Sequence, residues 1–404
     1  MSEYDVAVIG GGPVGACAAA LLARSGSLKV ALLEPHPGSL PDTAAPLDAR
    51  VVAVSRASEH ILKAAGAWGA LAGPRLEPYQ RMRIWHEGIA PFSAAALVFD
   101  AADAGEANLG YILENRLLQG ALLAALRAAG GELLAAELTG LEVGADAVQV
   151  HHAGGSLSAR LVLGADGAHS AVRTLAGIGV HSHDYHQRAI VATVSTARAH
   201  EHTAWQRFMH DGTLAFLPLA DGTSSIVWSA DEAPAAALLA ADTAAFEAAL
   251  ERAADGALGS MQLKGARQSF ALRRLSARGY VAERVALLGD AAHVVHPLAG
   301  QGVNLGLLDA AALSEQVLRA VAAREDPGAL GVLRAYERWR RSEVALMSTA
   351  IDAFDRYLAH GTGPVAQVAR RALGWVGRSQ ELRRLFIGRA LGVSGELPRA
   401  ARGG

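Results

Sequence analysis

The sequence predicts an α/β fold: a doubly wound parallel sheet, an antiparallel β-sheet inserted into it, and helices closing the chain. Three observations carry that expectation. The stretch "YDVAVIGGGPVGACAAALLA" at residues 4–23 reads as a buried strand, a glycine-rich turn and a helix of alanine and leucine. "LKVALLE" at 28–34 supplies a second strand, which completes a βαβ unit. Two later segments, "RLVLGADGAHSAVR" (160–173) and "RVALLGDAAHVVHPLAGQGVNLGLLDAAAL" (284–313), repeat the order strand, acid with glycine, helix.

Within the first unit each glycine has a separate task. Gly10 permits the tight turn, Gly12 lets the backbone approach a pyrophosphate, and Gly15 lets the helix pack closely on the strand. The free N–H groups at the start of the helix then face the phosphates. Glu34, 19 residues beyond Gly15, ends the second strand, where a carboxylate accepts hydrogen bonds from a ribose diol and repels a 2′-phosphate. FAD or NAD therefore fits better than NADP. Asp166 and Asp290 end two further strands and are expected to converge on one ligand, while Ser170 caps the helix after Asp166. On a flavin, Asp290 would bind the ribityl hydroxyls. The helix beginning near Gly302 would aim its N–H groups at the pyrimidine edge and stabilise the charge of the reduced ring.

Composition narrows the class. The chain has 404 residues, 51% hydrophobic and 19% charged, the balance of a globular protein with a sizeable core. A formal charge of −2 gives no basic field for nucleic acid. Cys17 is the only cysteine, which rules out an internal disulfide and any cysteine-rich metal site, and suggests a reducing compartment. Asp5 interrupts the apolar start, so no signal peptide is read there. The apolar stretch 117–141 carries Arg127, Glu132 and Glu137 and is no membrane span. The expected location is cytoplasmic.

The GxGxxG, DG and GD segments resemble those of the single-component flavoprotein aromatic hydroxylases, the class of 4-hydroxybenzoate hydroxylase. Within that class the chain is similar to the ubiquinone-biosynthesis hydroxylases over nearly its whole length. The resemblance rests on "LDARVVAVSRAS" (47–58), "MRIWHEG" (82–88), "LGYILENRLLQGAL" (109–122), "TAWQRFMHDGTLAFLPLADGTSSIVWS" (203–229), "HPLAGQGVNLGLLDA" (296–310) and "LPRAAR" (397–402). It implies an FAD-binding Rossmann-like domain of the glutathione-reductase type, with Arg50 and Arg116 along the FAD. Gly300, Gln301, Gly302, Val303 and Asn304 would line the isoalloxazine, and Pro297 and Gly300 would belong to the loop where oxygen is transferred. It further implies NAD(P)H as a transient co-substrate, since no second glycine fingerprint is present. Reduced flavin and O2 would form a C(4a)-hydroperoxide that hydroxylates an electron-rich polyprenylated phenol. Membership of a ubiquinone-biosynthesis protein complex is part of the same implication.

The expected organisation is discontinuous. Residues 1–75, 100–180 and 275–350 form the FAD-binding domain, 76–99 and 181–274 the substrate-binding β-sheet domain, and 351–404 a C-terminal helical segment. Strand-like alternation at 188–196, 213–219 and 224–229, with Asp221-Gly222 as a hairpin turn, marks the insertion. No side-chain nucleophile or phenol base is identified. No GxSxG or P-loop motif occurs. His181, His183 and His186, like His293 and His296, lack the acid or cysteine that would complete a metal site, so none is expected. Residues 361–404 carry eight arginines against Glu381 and Glu396, with Trp375, Leu385 and Phe386 among them. Such a surface suits peripheral contact with anionic lipid on the inner face of the cell membrane, and equally a packed helix with a solvated arginine face. Two other functions stay open: hydroxylation of a small soluble phenol, and reduction of an isoprenoid tail by a flavoprotein of the same fold.

Overall fold

The computed structural model describes residues 3–42, 45–295, 301–354 and 395–403. The chain opens with β1 (Tyr4–Ile9), α1 (Pro13–Ala23) and β2 (Val30–Leu33), and β1 pairs with β2 in parallel from Val6–Val30 to Ile9–Leu33. Pro13 starts α1, where its missing N–H removes no helical bond. Next come β3 (Val51–Ser55), α2 (Arg56–Ala64), α3 (Trp68–Leu71), β4 (Glu77–Tyr79), β5 (Arg81–His86), β6 (Leu97–Asp100), β7 (Gly110–Glu114) and α4 (Asn115–Ala128). After them follow β8 (Glu132–Leu134), β9 (Leu138–Val143), β10 (Val148–His152), β11 (Gly155–Gly164) and α5 (Ala171–Leu175). The middle of the chain gives β12 (Val180–Thr196), β13 (Thr203–Met209), β14 (Gly212–Pro218), β15 (Ser224–Asp231), α6 (Glu232–Ala240), α7 (Thr243–Ala253) and β16 (Met261–Ala277). It ends in β17 (Val281–Ala282), β18 (Val285–Leu287), β19 (His293–Val294), α8 (Gln301–Ala322) and α9 (Leu330–Phe354).

The first sheet runs β17-β18-β11-β1-β2-β8, parallel from β18 to β8, with β10 and β9 extending it beyond β11. Its strands are continuous apolar runs because helices cover them. Val6, Ala7, Val8, Leu161, Val162 and Leu163 are wholly buried, and α1 packs on α4 and α8. β3, β7 and β4 form a separate small sheet.

The second large sheet runs β19-β16-β12-β15-β14-β13-β5-β6 and is antiparallel except where β13 meets β5. Segment 76–99 is thus divided, since Glu77–Tyr79 joins the small sheet and Arg81–His86 the large one. Gly222, at φ +84°, turns the hairpin between β14 and β15, and Asp221 Oδ1 accepts from the Thr223 N–H at 3.0 Å.

Alternation along the strands gives this sheet two different faces. One carries Trp85, Ile190, Trp205, Phe216, Ile226 and Trp228 into a core closed by Phe246 and Leu250 of α7. The other faces the parallel sheet's attachments. There Ala204 and Leu217 cluster with Val51 and Ala53 of β3, while Ile84 and Phe208 cluster with Val295 and with Leu305 of α8. Among the described residues no helix is long and apolar enough to cross a membrane.

Candidate active site

The three fingerprint glycines differ in what surrounds them. Gly10 has φ +102°, and a Cβ on it would lie 2.5 Å from the Ala165 carbonyl oxygen; one on Gly15 would lie 2.0 Å from the Gly10 carbonyl oxygen. Those two positions are fixed by the protein's own packing. Gly12, immediately before α1, has nothing within 4 Å of its Cβ position. Open space therefore adjoins the free N–H groups of the helix start, where an anion is stabilised.

Glu34 latches this turn. Its Oε2 accepts the Gly11 N–H at 2.7 Å and its Oε1 the His36 N–H at 3.0 Å. Each oxygen keeps a further lone pair for a ribose. Gln119 of α4, which the sequence reading did not single out, donates to the Gly11 carbonyl at 2.8 Å and holds the loop from the other side.

Arg50 and Asp290 come from distant parts of the chain to one place. The Arg50 guanidinium lies over the Phe270 ring at 5.6 Å, and Ser225 Oγ ties the large sheet to the neighbouring Ala49 carbonyl at 2.9 Å. Asp290 follows β18 with an accessible side chain that makes no hydrogen bond among the described residues. Protein crowds the rest of its surroundings. Burial pushes its carboxyl above the ordinary aspartate value, His293 and Arg50 oppose that shift, and Asp309 adds to it.

The other strand-end acid is arranged differently. Asp166 Oδ1 accepts from Ser170 Oγ at 2.5 Å and Oδ2 from the Val172 N–H at 3.0 Å, so both oxygens serve the start of α5. Ser170 Oγ in turn accepts the Arg173 N–H at 2.9 Å. Of the two acids, Asp290 alone is without a hydrogen-bond partner among the described residues.

Arg116, at the start of α4, is half exposed, 3.3 Å from Glu114 Oε1, and donates to the Pro46 carbonyl at 3.0 Å. Glu114 itself is buried in a bidentate pair with Arg75 at 2.6 and 2.8 Å and accepts the Asp48 N–H at 2.8 Å. Burial alone would raise its pKa, but these donors and the charges of Arg75 and Arg116 leave it below the usual range.

Helix α8 is docked by Asn304. Its Oδ1 accepts from the Ser55 N–H (3.0 Å) and Ser58 Oγ (2.7 Å), and its Nδ2 donates to the Ala53 carbonyl (2.8 Å). Gly302 has open space at its Cβ position and Val303 is half buried. Pro297, Gly300 and the side chain of Gln301 lie outside the described residues.

Behind Asp290 stands a buried ionic group with no local sequence signature. Asp309 of α8 lies 2.6 Å from His293 Nε2 and 2.7 Å from Arg340 Nε, and accepts the Gly289 N–H at 3.1 Å. Burial alone would raise the Asp309 pKa, but the charges and hydrogen bonds of His293 and Arg340 lower it. His293 is thereby engaged, and among the described residues no group of His, Cys, Asp and Glu could hold a metal. Cys17 is wholly buried in α1 and its thiol is pushed up to about 12, which makes it inert.

The residues present fit an FAD: an open pyrophosphate cradle at Gly12, an acid for the ribose, and a free carboxylate beside an arginine at the next strand end. A family model described as an FAD binding domain matches residues 3–348. The ubiquinone hydroxylase UbiL of Rhodospirillum rubrum is 39% identical over 405 residues, covering 99% of this chain and 92% of its own. The chain belongs to the FAD-dependent ubiquinone-biosynthesis hydroxylases. Escherichia coli 3-demethoxyubiquinol 3-hydroxylase is 35% identical and covers 96% of this chain and 98% of its own, and rat mitochondrial ubiquinone biosynthesis monooxygenase COQ6 is 32% identical, covering 90% and 86%. In structure, p-nitrophenol 4-monooxygenase PnpA of Pseudomonas putida aligns with a TM-score of 0.73 at 20% identity, over 96% of this chain and 98% of its own, a likeness of fold. As a member of this hydroxylase family the protein is an FAD-dependent monooxygenase.

Proposed function

We propose that the protein hydroxylates the aromatic ring of a polyprenylated phenol in ubiquinone biosynthesis, with O2 and NAD(P)H as co-substrates. The observation that carries this reading is the second face of the large sheet. Ile84 and Phe208 on that face meet Val295 and Leu305, which flank the loop running into α8, and so offer an aromatic ring a dry wall beside the glycine-rich site. Gly12 and the start of α1 would hold the FAD pyrophosphate, Glu34 its ribose, Arg50, Arg116 and Asp290 the chain leading to its ring, and Gly302 and Val303 the ring's edge. A flavin held by these residues would supply hydride acceptance from the nicotinamide and transfer of one oxygen atom of O2 to the phenol.

The chain's own contribution is to place and to dry. Asn304 fixes α8 against β3, and Asp166 shapes the turn after β11. The apolar patches around Ala204 and Phe208 keep water from the reacting ring, as an oxygen-transfer site requires. The arginine-rich segment 361–404 would bring the protein to anionic lipid, where a polyprenylated phenol resides.

The test is oxygen uptake by the FAD-loaded protein with a prenylated phenol in detergent, followed by identification of the product. Phenol-dependent uptake with a ring-hydroxylated product is the expected result. Equal conversion of an unprenylated phenol would favour a soluble substrate. Saturation of the isoprenoid tail without oxygen uptake would overturn the reading.

A further inference from the structure

Gln206 lies in the middle of the sheet face just described. Along β13, Trp205 belongs to the core beneath α7, whereas Ala204 and Phe208 belong to the two apolar clusters on the opposite face, and Gln206 shares that face between them. Its neighbours in the row across the sheet are Ile84 on β5, Ala215 on β14, Val227 on β15 and Val191 on β12. From β5 to β12 Gln206 is thus a carboxamide among aliphatic side chains, and the row ends on β16 in Gln268, which is exposed. Gln206 is 7% exposed and makes no hydrogen bond among the described residues.

The residue is buried but its amide is not among the fully enclosed polar atoms, so its tip reaches open space on this face, where a ligand or water would complete its hydrogen bonds. In the adjoining row Thr213 pairs with Phe208 and Ser229 with Thr213; both are buried, and their hydroxyls are also without a side-chain hydrogen bond. A few polar groups without partners on an otherwise apolar sheet face suit a site that reads a few positions of a mostly apolar ligand.

We propose that Gln206 is the residue that selects a phenol: its Oε1 accepts the ring hydroxyl and so fixes the orientation of the ring on this sheet face. This rests on the hydroxylase reading above. A carboxamide neither protonates nor deprotonates the ring here; it orients it. A site built around a hydroxyl also rejects an analogue lacking that donor, because the amide is then left buried and unpaired.

The test compares 2-geranylphenol with its O-methyl ether, each titrated into the FAD-loaded protein and followed by the flavin absorbance change. The parent is expected to bind the phenol about tenfold tighter than the ether. Gln206→Leu is expected to remove that preference while retaining the parent's FAD dissociation constant, and Gln206→Glu, which keeps an acceptor, is expected to restore it. If the parent binds the phenol and Gln206→Leu keeps the full preference, the assignment of Gln206 is overturned. If the parent binds neither compound, it is the prenylated-phenol reading that fails. Should Gln206→Leu lose FAD, Gln206→Ala is read by the same ratio.

Discussion

Nε2 of His293 stands 2.6 Å from Oδ2 of Asp309, and the same oxygen accepts the Gly289 N–H, so one buried carboxylate links α8 to the turn that carries Asp290. Asp309→Ala would leave Arg340 buried without its counter-charge. A loss of about 3–5 kcal/mol in chemical denaturation is expected. The folded pKa of Asp309 is lowered, so its contribution is fully present above the unfolded value near ~4 and disappears as pH falls through the lower folded value. Asp309→Asn is therefore expected to flatten the acid limb of the stability curve. An unchanged acid limb would place the acid sensitivity elsewhere.

Asp290 has the opposite sign. Its pKa is raised in the fold, so the ionised carboxylate destabilises the protein at neutral pH, and that cost fades as pH falls through the folded value toward ~4. Asp290→Asn is expected to raise the melting temperature of the FAD-free protein at pH 7, to lose that advantage near pH 4, and to weaken FAD binding. A variant less stable than the parent at pH 7 contradicts this.

Gly12 and Gly15 should separate binding from folding. Gly12→Val adds a side chain to open space, so the FAD-free protein is expected to melt like the parent while FAD affinity falls at least tenfold. Gly15→Val drives a side chain into the Gly10 carbonyl and is expected to yield no folded protein. Circular dichroism and FAD fluorescence distinguish the two, and equal FAD binding by Gly12→Val and the parent would move the pyrophosphate elsewhere.

Lipid contact is best tested by charge removal. Truncation would disturb the fold, because Trp339 Nε1 donates to the Glu396 carbonyl at 3.0 Å and the Arg399 N–H donates to Glu315 at 2.8 Å. Replacing Arg370, Arg371, Arg383 and Arg384 by Gln is expected to lower co-sedimentation with anionic vesicles by about 1 kcal/mol per charge, and added salt to do the same to the parent. Sedimentation unaffected by both leaves the arginines a solvated face.

The sequence made the scaffold legible where the signal is local. Apolar runs, glycines with the acid at Glu34, the cap at Ser170 and the turn at Asp221-Gly222 each constrain a few adjacent residues. Asp309, Arg75 and Gln206 were not legible. Asp309 shares α8 with a second acid, Glu315, and only tertiary packing supplies His293 and Arg340. Gln206 reads as one polar position in a half-buried strand, and its importance lies in the absence of a partner, which no linear pattern encodes. Asp166, foreseen as a strand-end acid facing the ligand, also bonds the start of α5 through both oxygens, a local role that its place at a strand end did not announce.

The ribbon of β12 and β16 has a consequence for how the chain is made. Val180 pairs with Ala277, so the long excursion between them leaves and returns at adjacent points. A nascent chain holds β11 with one edge open until β18 is synthesised, and an open edge invites pairing with other chains. Antiparallel zipping of the ribbon delivers residue 285 to the edge of β11 over a short remaining loop, which removes most of the closure entropy from that late step. The inserted sheet acts during synthesis as the clasp that closes the cofactor-binding half.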